Sequence, residues 1–148
     1  MTPDSLELVV VTPERQLLRE KVVEVQLPGE GGYLGILPGH APLITELGIG
    51  ELSYHDASGK ESKHIAIMSG FAEVLGDSVT VLAETAELAE EIDLERAKRA
   101  LERARQAIAS NAADMDWELA TAALQRALVR IKLGETYAKR RTAIVQAP

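Results

Sequence analysis

The sequence predicts two structural parts in series, an all-β sandwich or flattened barrel and then an antiparallel two-helix hairpin. Two observations carry this reading. Apolar residues recur with period two up to about residue 86 and with a helical period after it. Turn punctuation stops at the same place: ten of the eleven glycines precede residue 87, only Gly134 follows, and five of the six prolines fall within the first 42 residues. A chain of 148 residues suits one ordinary domain or a small domain with an appendage. It is 46% hydrophobic but only 3% aromatic, so its core must be built from Val, Leu, Ile and Ala.

The strand runs come in order. Leu6 to Val11 opens the chain, and Val23, Val25 and Leu27 then alternate with Glu24 and Gln26, as in a half-buried strand. Ile49 to Tyr54, His64 to Met68, Phe71 to Leu75 and Val79 to Leu82 follow. Pro28-Gly29, Asp56 to Gly59 and Gly76-Asp77 are the turns between runs. Short strands at this spacing, with little helix among them, predict an antiparallel sandwich or flattened barrel.

From residue 87 the period changes. Leu94, Ala97, Leu101, Ala104 and Ile108 draw one apolar stripe, with Asp93 placed to cap its start and Ser110-Asn111 to end it. A second stripe runs Trp117, Ala120, Leu124, Leu128 and Ile131, with Asp114 or Asp116 as its cap. Two helices of similar length and a short loop make a hairpin. Its Ala-rich seam buries little area and predicts marginal stability. The expected domains are therefore residues 1–86 and 87–148.

Composition excludes several functions. The formal net charge of -7 argues against a nucleic-acid or anionic-membrane binder. It is unevenly spread: residues 1–86 carry 5 Lys/Arg against 13 Asp/Glu, and residues 87–148 carry 11 against 10. There is no cysteine for disulfide or thiol chemistry. The first residues, Met1 to Glu7, have neither the basic region nor the long apolar stretch of a signal peptide. No run approaches the roughly 20 apolar residues of a spanning helix. Gly29 to Gly35 has the glycine density of a phosphate-binding loop but lacks the Gly-Lys-Ser/Thr ending and a following helix, so it reads as a turn. His40, His55 and His64 lie at no metal-ligand spacing, His64 reading as a surface or sheet residue, and no catalytic triad is legible.

The run Gly35 to Leu43, Gly-Ile-Leu-Pro-Gly-His-Ala-Pro-Leu, sets two prolines and two glycines around a histidine in an otherwise apolar segment. Such constraint specifies one loop shape, built to pack at a sheet corner or to dock on a partner. It resembles the signature loop of the epsilon subunit of rotary (F-type) ATP synthases. Met68 to Val74, Val79 to Ala86 and Leu6 to Glu14 match the same family in the same order, so the resemblance spans nearly the whole chain.

The resemblance implies a sandwich of about ten strands, then two helices, and a non-catalytic place on the central stalk of a proton- or sodium-translocating synthase. It implies that the β domain binds the gamma subunit and the c-subunit ring through Tyr33, Leu37, Pro38, His40, Ala41, Pro42 and Leu43. Relatives often carry an acidic residue where this chain has Tyr33. A packed corner remains the alternative for Leu37 and Leu43. The helices would extend toward the catalytic beta and alpha subunits and restrain ATP hydrolysis through Arg126, Arg130, Lys132, Lys139, Arg140 and Arg141. Membrane association would come only through the complex, at the cytoplasmic face of a bacterial inner membrane.

Ile92-Asp-Leu-Glu-Arg-Ala97 also resembles a motif of the ATP-binding site in some bacterial epsilon subunits. Ile92, Asp93, Arg96, Ala97, Arg103, Arg126 and Arg130 are its matching positions. No cofactor is required, and ATP would be a regulatory ligand. The chemistry is sound, because arginine forks on two facing helices make a polyphosphate cradle and Asp93 can accept hydrogen bonds from adenine or ribose. The competing reading is an ordinary N-cap and solvated arginine faces. A free-standing nucleotide-sensing adaptor is the alternative function.

Overall fold

Six β-strands, one 3-10 turn and two α-helices make up residues 4–146, the stretch that the computed structural model describes. The strands are β1 (Leu6–Val11), β2 (Gln16–Gly29), β3 (Gly32–Ile36), β4 (Leu43–Asp56), β5 (Ser62–Leu75) and β6 (Ser78–Leu88). Their order is β1-β6-β5-β4-β2-β3, and β1 also pairs with β2, so five strands close on themselves while β3 adds to β2. The chain divides into two compact units, one ending at Glu87 and the other beginning at Leu88.

Six strands replace the ten expected, and the reason is that long strands bend instead of breaking. β2, β4 and β5 each run 14 residues. The separate runs His64 to Met68 and Phe71 to Leu75 are one strand that turns at Ser69 and Gly70, whose φ angles are 64° and 141°. Only glycine suits position 70, since a Cβ there would stand 2.2 Å from the Leu82 carbonyl oxygen. Nor is the sheet wholly antiparallel, because β1 pairs with β6 in parallel.

Turn chemistry sets the connections. Glu30-Gly31 closes the β2–β3 hairpin with Gly29 opposite Gly32, so a tight turn does fall within the glycine-rich run, but Pro28-Gly29, expected as the turn, end β2, and Gly32 to Gly35 belong to β3. Between β4 and β5 the Asp56 carboxylate accepts from the Ser58 amide at 3.0 Å and from its hydroxyl, which holds it below the usual carboxylate range. Inward-facing Leu8, Val10, Val25, Leu27, Leu52, Ile65, Ile67 and Val81 are fully buried and form the aliphatic core.

In the second unit a 3-10 turn (Ala89–Glu91) leads to α1 (Leu94–Ser110) and α2 (Trp117–Gln146). Asp93 caps α1, its carboxylate accepting from the Arg96 amide at 3.1 Å, and Asn111 ends it in the left-handed region. Asp116 is the second cap, accepting from the Leu119 amide at 3.2 Å. The α1 stripe lies as predicted, with Ala97 and Ala104 buried and Leu94, Leu101 and Ile108 half-buried.

α2 departs from expectation twice. It has 30 residues against the 17 of α1, because no proline interrupts it and Gly134 is embedded within it. Its buried positions are Ala127, Leu133 and Gly134, with Ala120, Leu124 and Ile131 of the expected stripe half-buried, while Trp117 and Leu128 of that stripe are exposed. Two of the three buried positions are small residues, which let the helix axes approach closely.

Candidate functional site

The first candidate surface grows from the loop between β3 and β4. Ile36, fully buried, anchors one end. The His40 amide donates to the Leu37 carbonyl at 3.0 Å, across Pro38 and a Gly39 whose φ is 89°. Proline then positive-φ glycine is the signature of a type II turn. The His40 imidazole folds back to donate from Nδ1 to the Ala41 carbonyl at 2.7 Å. Pro38, Gly39 and His40 therefore specify the shape of the loop. It holds Leu37, Ala41 and Pro42 exposed, with Pro38, His40 and Leu43 half-buried.

The structure extends this surface onto residues that the sequence reading passed over. Ile44 on β4, Phe71 and Leu75 on β5 and Leu82 on β6 are 55% to 73% exposed, as are Tyr33 and Leu37. Ile44 pairs with Glu73 and Glu46 with Phe71 across β4 and β5, so these four side chains share one face. Leu82 lies where β6 abuts Gly70, next to Phe71. The signal was present in the doublets Leu43-Ile44, Val74-Leu75 and Val81-Leu82. Each breaks alternation and obliges one apolar residue of the pair to face outward. Clustered exposed apolar side chains among carboxylates mark an interaction surface. Tyr33 on β3 is tied to β4, its phenol oxygen accepting from the Glu51 amide at 3.2 Å.

The second candidate lies on the helical hairpin. Gly134 meets Ile92 and Leu94 at the start of α1, which sets the helix register. Arg130 and Arg126 then lie one and two turns along α2, level with the Arg96 to Arg103 stretch of α1. Helical periodicity places both arginine pairs on the same side of the seam. Arg96 and Arg103 are exposed and Arg126 and Arg130 half-buried, while Ala97 is buried in the seam and Ile92 is half-buried. Asp93 spends one carboxylate oxygen on its cap. Lys132, Lys139, Arg140 and Arg141 are exposed on the last part of α2.

His64 joins a polar row on the sheet surface. Its Nδ1 pairs with Glu51, and the Ser62 hydroxyl lies 3.3 Å from its Nε2. The order mimics a hydrolase triad, yet serine and histidine stand two residues apart on one strand and form a lateral clasp of the β4–β5 hairpin. Among the described residues no cluster of His, Asp and Glu suits a metal ion, and no helix is long and apolar enough to cross a membrane.

Comparison with known proteins places these surfaces in context. The family model for the β-sandwich domain of the ATP synthase delta/epsilon chain matches residues 5–89, and that for the long α-helix domain of the same chain matches residues 90–134. The ATP synthase epsilon chain of Solibacter usitatus is 54% identical over 129 residues, covering 87% of this chain and 95% of that one. That of Syntrophobacter fumaroxidans is 46% identical over 132 residues, covering 89% and 97%. A chain in the cryo-EM structure of the Euglena gracilis mitochondrial ATP synthase, with OSCP, F1 and c-ring, superposes with a TM-score of 0.69 at 25% identity, over 95% of this chain and 83% of that one.

Proposed function

The chain belongs to the ATP synthase delta/epsilon chain family, and from that premise we propose that it is a central-stalk epsilon subunit that joins gamma to the c ring and restrains ATP hydrolysis through its helices. As a member of that family it is a non-catalytic subunit. The observation that carries the docking role is the set of exposed apolar side chains on the β unit, Leu37 on the loop with Ile44, Phe71, Leu75 and Leu82 on the strands. It lies wholly in the β unit, so the gamma and ring contacts are assigned there. Glu46 and Glu73 on the same face favour a partner that brings cations to meet them.

The helices are assigned the inhibitory role. Lys132, Lys139, Arg140 and Arg141, with Arg126 and Arg130, form a basic α2 that suits an acidic loop on the catalytic beta and alpha subunits. The coupling ion is a proton or sodium, and the site of action is the cytoplasmic face of a bacterial inner membrane, held there through the complex. ATP is assigned to the two arginine rows and Asp93 as a regulatory ligand that holds the hairpin closed.

A chain ending at Glu87 tests the division of labour. It should still co-purify with gamma and the ring, while the complex hydrolyses ATP faster than with the full chain. Neutral replacements at the six basic residues should reproduce part of that rise. A folded truncation that fails to assemble would move docking into the helices. Unchanged hydrolysis would remove the inhibitory role.

A further inference from the structure

We propose that Gly134 is a notch that locks the start of α1 onto α2 and so sets the register between the arginine rows of the hairpin. A Cβ at Gly134 would stand 3.2 Å from Leu94 Cδ1 and 3.4 Å from Ile92 Cγ2. The two side chains therefore rest against bare helix backbone. Glycine inside a helix weakens it relative to alanine. Here it sits buried in the middle of the longest helix, in a half of the chain that otherwise has no glycine. Close approach is what that position gains.

The contact reaches the proposed ligand residues from both sides. Ile92 and Leu94 flank Asp93, whose carboxylate holds the Arg96 amide at 3.1 Å. Arg130 lies one turn before Gly134 on α2. Seating Ile92 and Leu94 therefore fixes Asp93 and Arg96 along α2 relative to Arg130 and Arg126. Gly134 acts as a positioning residue and touches no ligand itself. Its effect on ATP rests on the nucleotide reading above; its effect on the hairpin does not.

The test uses the full chain, which has no native cysteine. Spin labels are placed at Lys98→Cys and Gln125→Cys. Gly134→Leu, which improves helix propensity while filling the notch, is expected to lengthen and broaden the distance between labels. It should also weaken ATP binding by calorimetry at least tenfold. Adding Leu94→Ala moves the bulk from knob to notch and should restore both readings. If Gly134→Leu alone does not fold, recovery of folding and of the native distance in the double variant is the same result. An unchanged distance in Gly134→Leu, or no restoration by Leu94→Ala, overturns the notch. If the native chain binds no ATP but the distances behave as expected, the nucleotide reading fails and the notch stands.

Discussion

Asp93 has a structural role and a proposed chemical one, and two substitutions separate them. Asp93→Ala removes the cap on the Arg96 amide, and losing such a cap costs about 1 kcal/mol. Asp93→Ser keeps an oxygen for that amide but has no carboxylate. Both should weaken ATP binding in calorimetry, while only the alanine variant should lower the helical melting temperature. Recovery of affinity by serine would reduce Asp93 to a cap. On the β unit, Leu37→Asp and Phe71→Asp should each leave the isolated protein folded, because both side chains face solvent. Each should impair co-purification with gamma and the ring by setting an unpaired carboxylate against an apolar contact. Normal association of both variants would place the docking surface elsewhere.

The elements are shaped by a few positions where the backbone does something unusual. β5 stays one strand across its bend because Gly70 lets the chain pass so close to β6 that a Cβ there would stand 2.2 Å from the Leu82 carbonyl oxygen. Gly70→Ala combines that clash with a positive φ, so it should destabilise the β unit by more than about 1 kcal/mol in urea unfolding. Native stability in that variant would mean the bend relaxes without cost. The helices differ in what holds them. α1 is closed at both ends by Asp93 and Asn111, whereas α2 runs on past the notch at Gly134 and carries its basic cluster into solvent.

At the scale of the whole molecule, an acidic β unit is joined to a helical unit of nearly balanced charge, with an Ala-rich seam between the helices. A ligand confined to the closed hairpin, at about 100 times its dissociation constant, stabilises that form by roughly 2.7 kcal/mol. That shifts an equilibrium whose two forms differ by a few kcal/mol. Fluorescence transfer between a label on the β unit and one near Ala143 should therefore report compaction as ATP is added. Binding without any change in that distance would separate the site from the switch.

Periodicity and punctuation by themselves determined the two-part layout, α1 with both of its caps, and the turns at Asp56 to Gly59 and Gly76-Asp77. These are local properties, set by side-chain alternation and by backbone angles that Gly, Pro, Asp and Asn favour. Only the tertiary structure decided that His64 to Leu75 is one bent strand, since whether a bend breaks a ladder depends on β4 and β6 beside it. It alone placed Ile44, Phe71, Leu75 and Leu82 on one face, because register across strands is not written in any single strand. It likewise left Trp117 and Leu128 of the expected α2 stripe exposed and buried Ala127, Leu133 and Gly134 instead. Close approach between helices rewards small residues, and a sequence pattern that counts large apolar residues overlooks them.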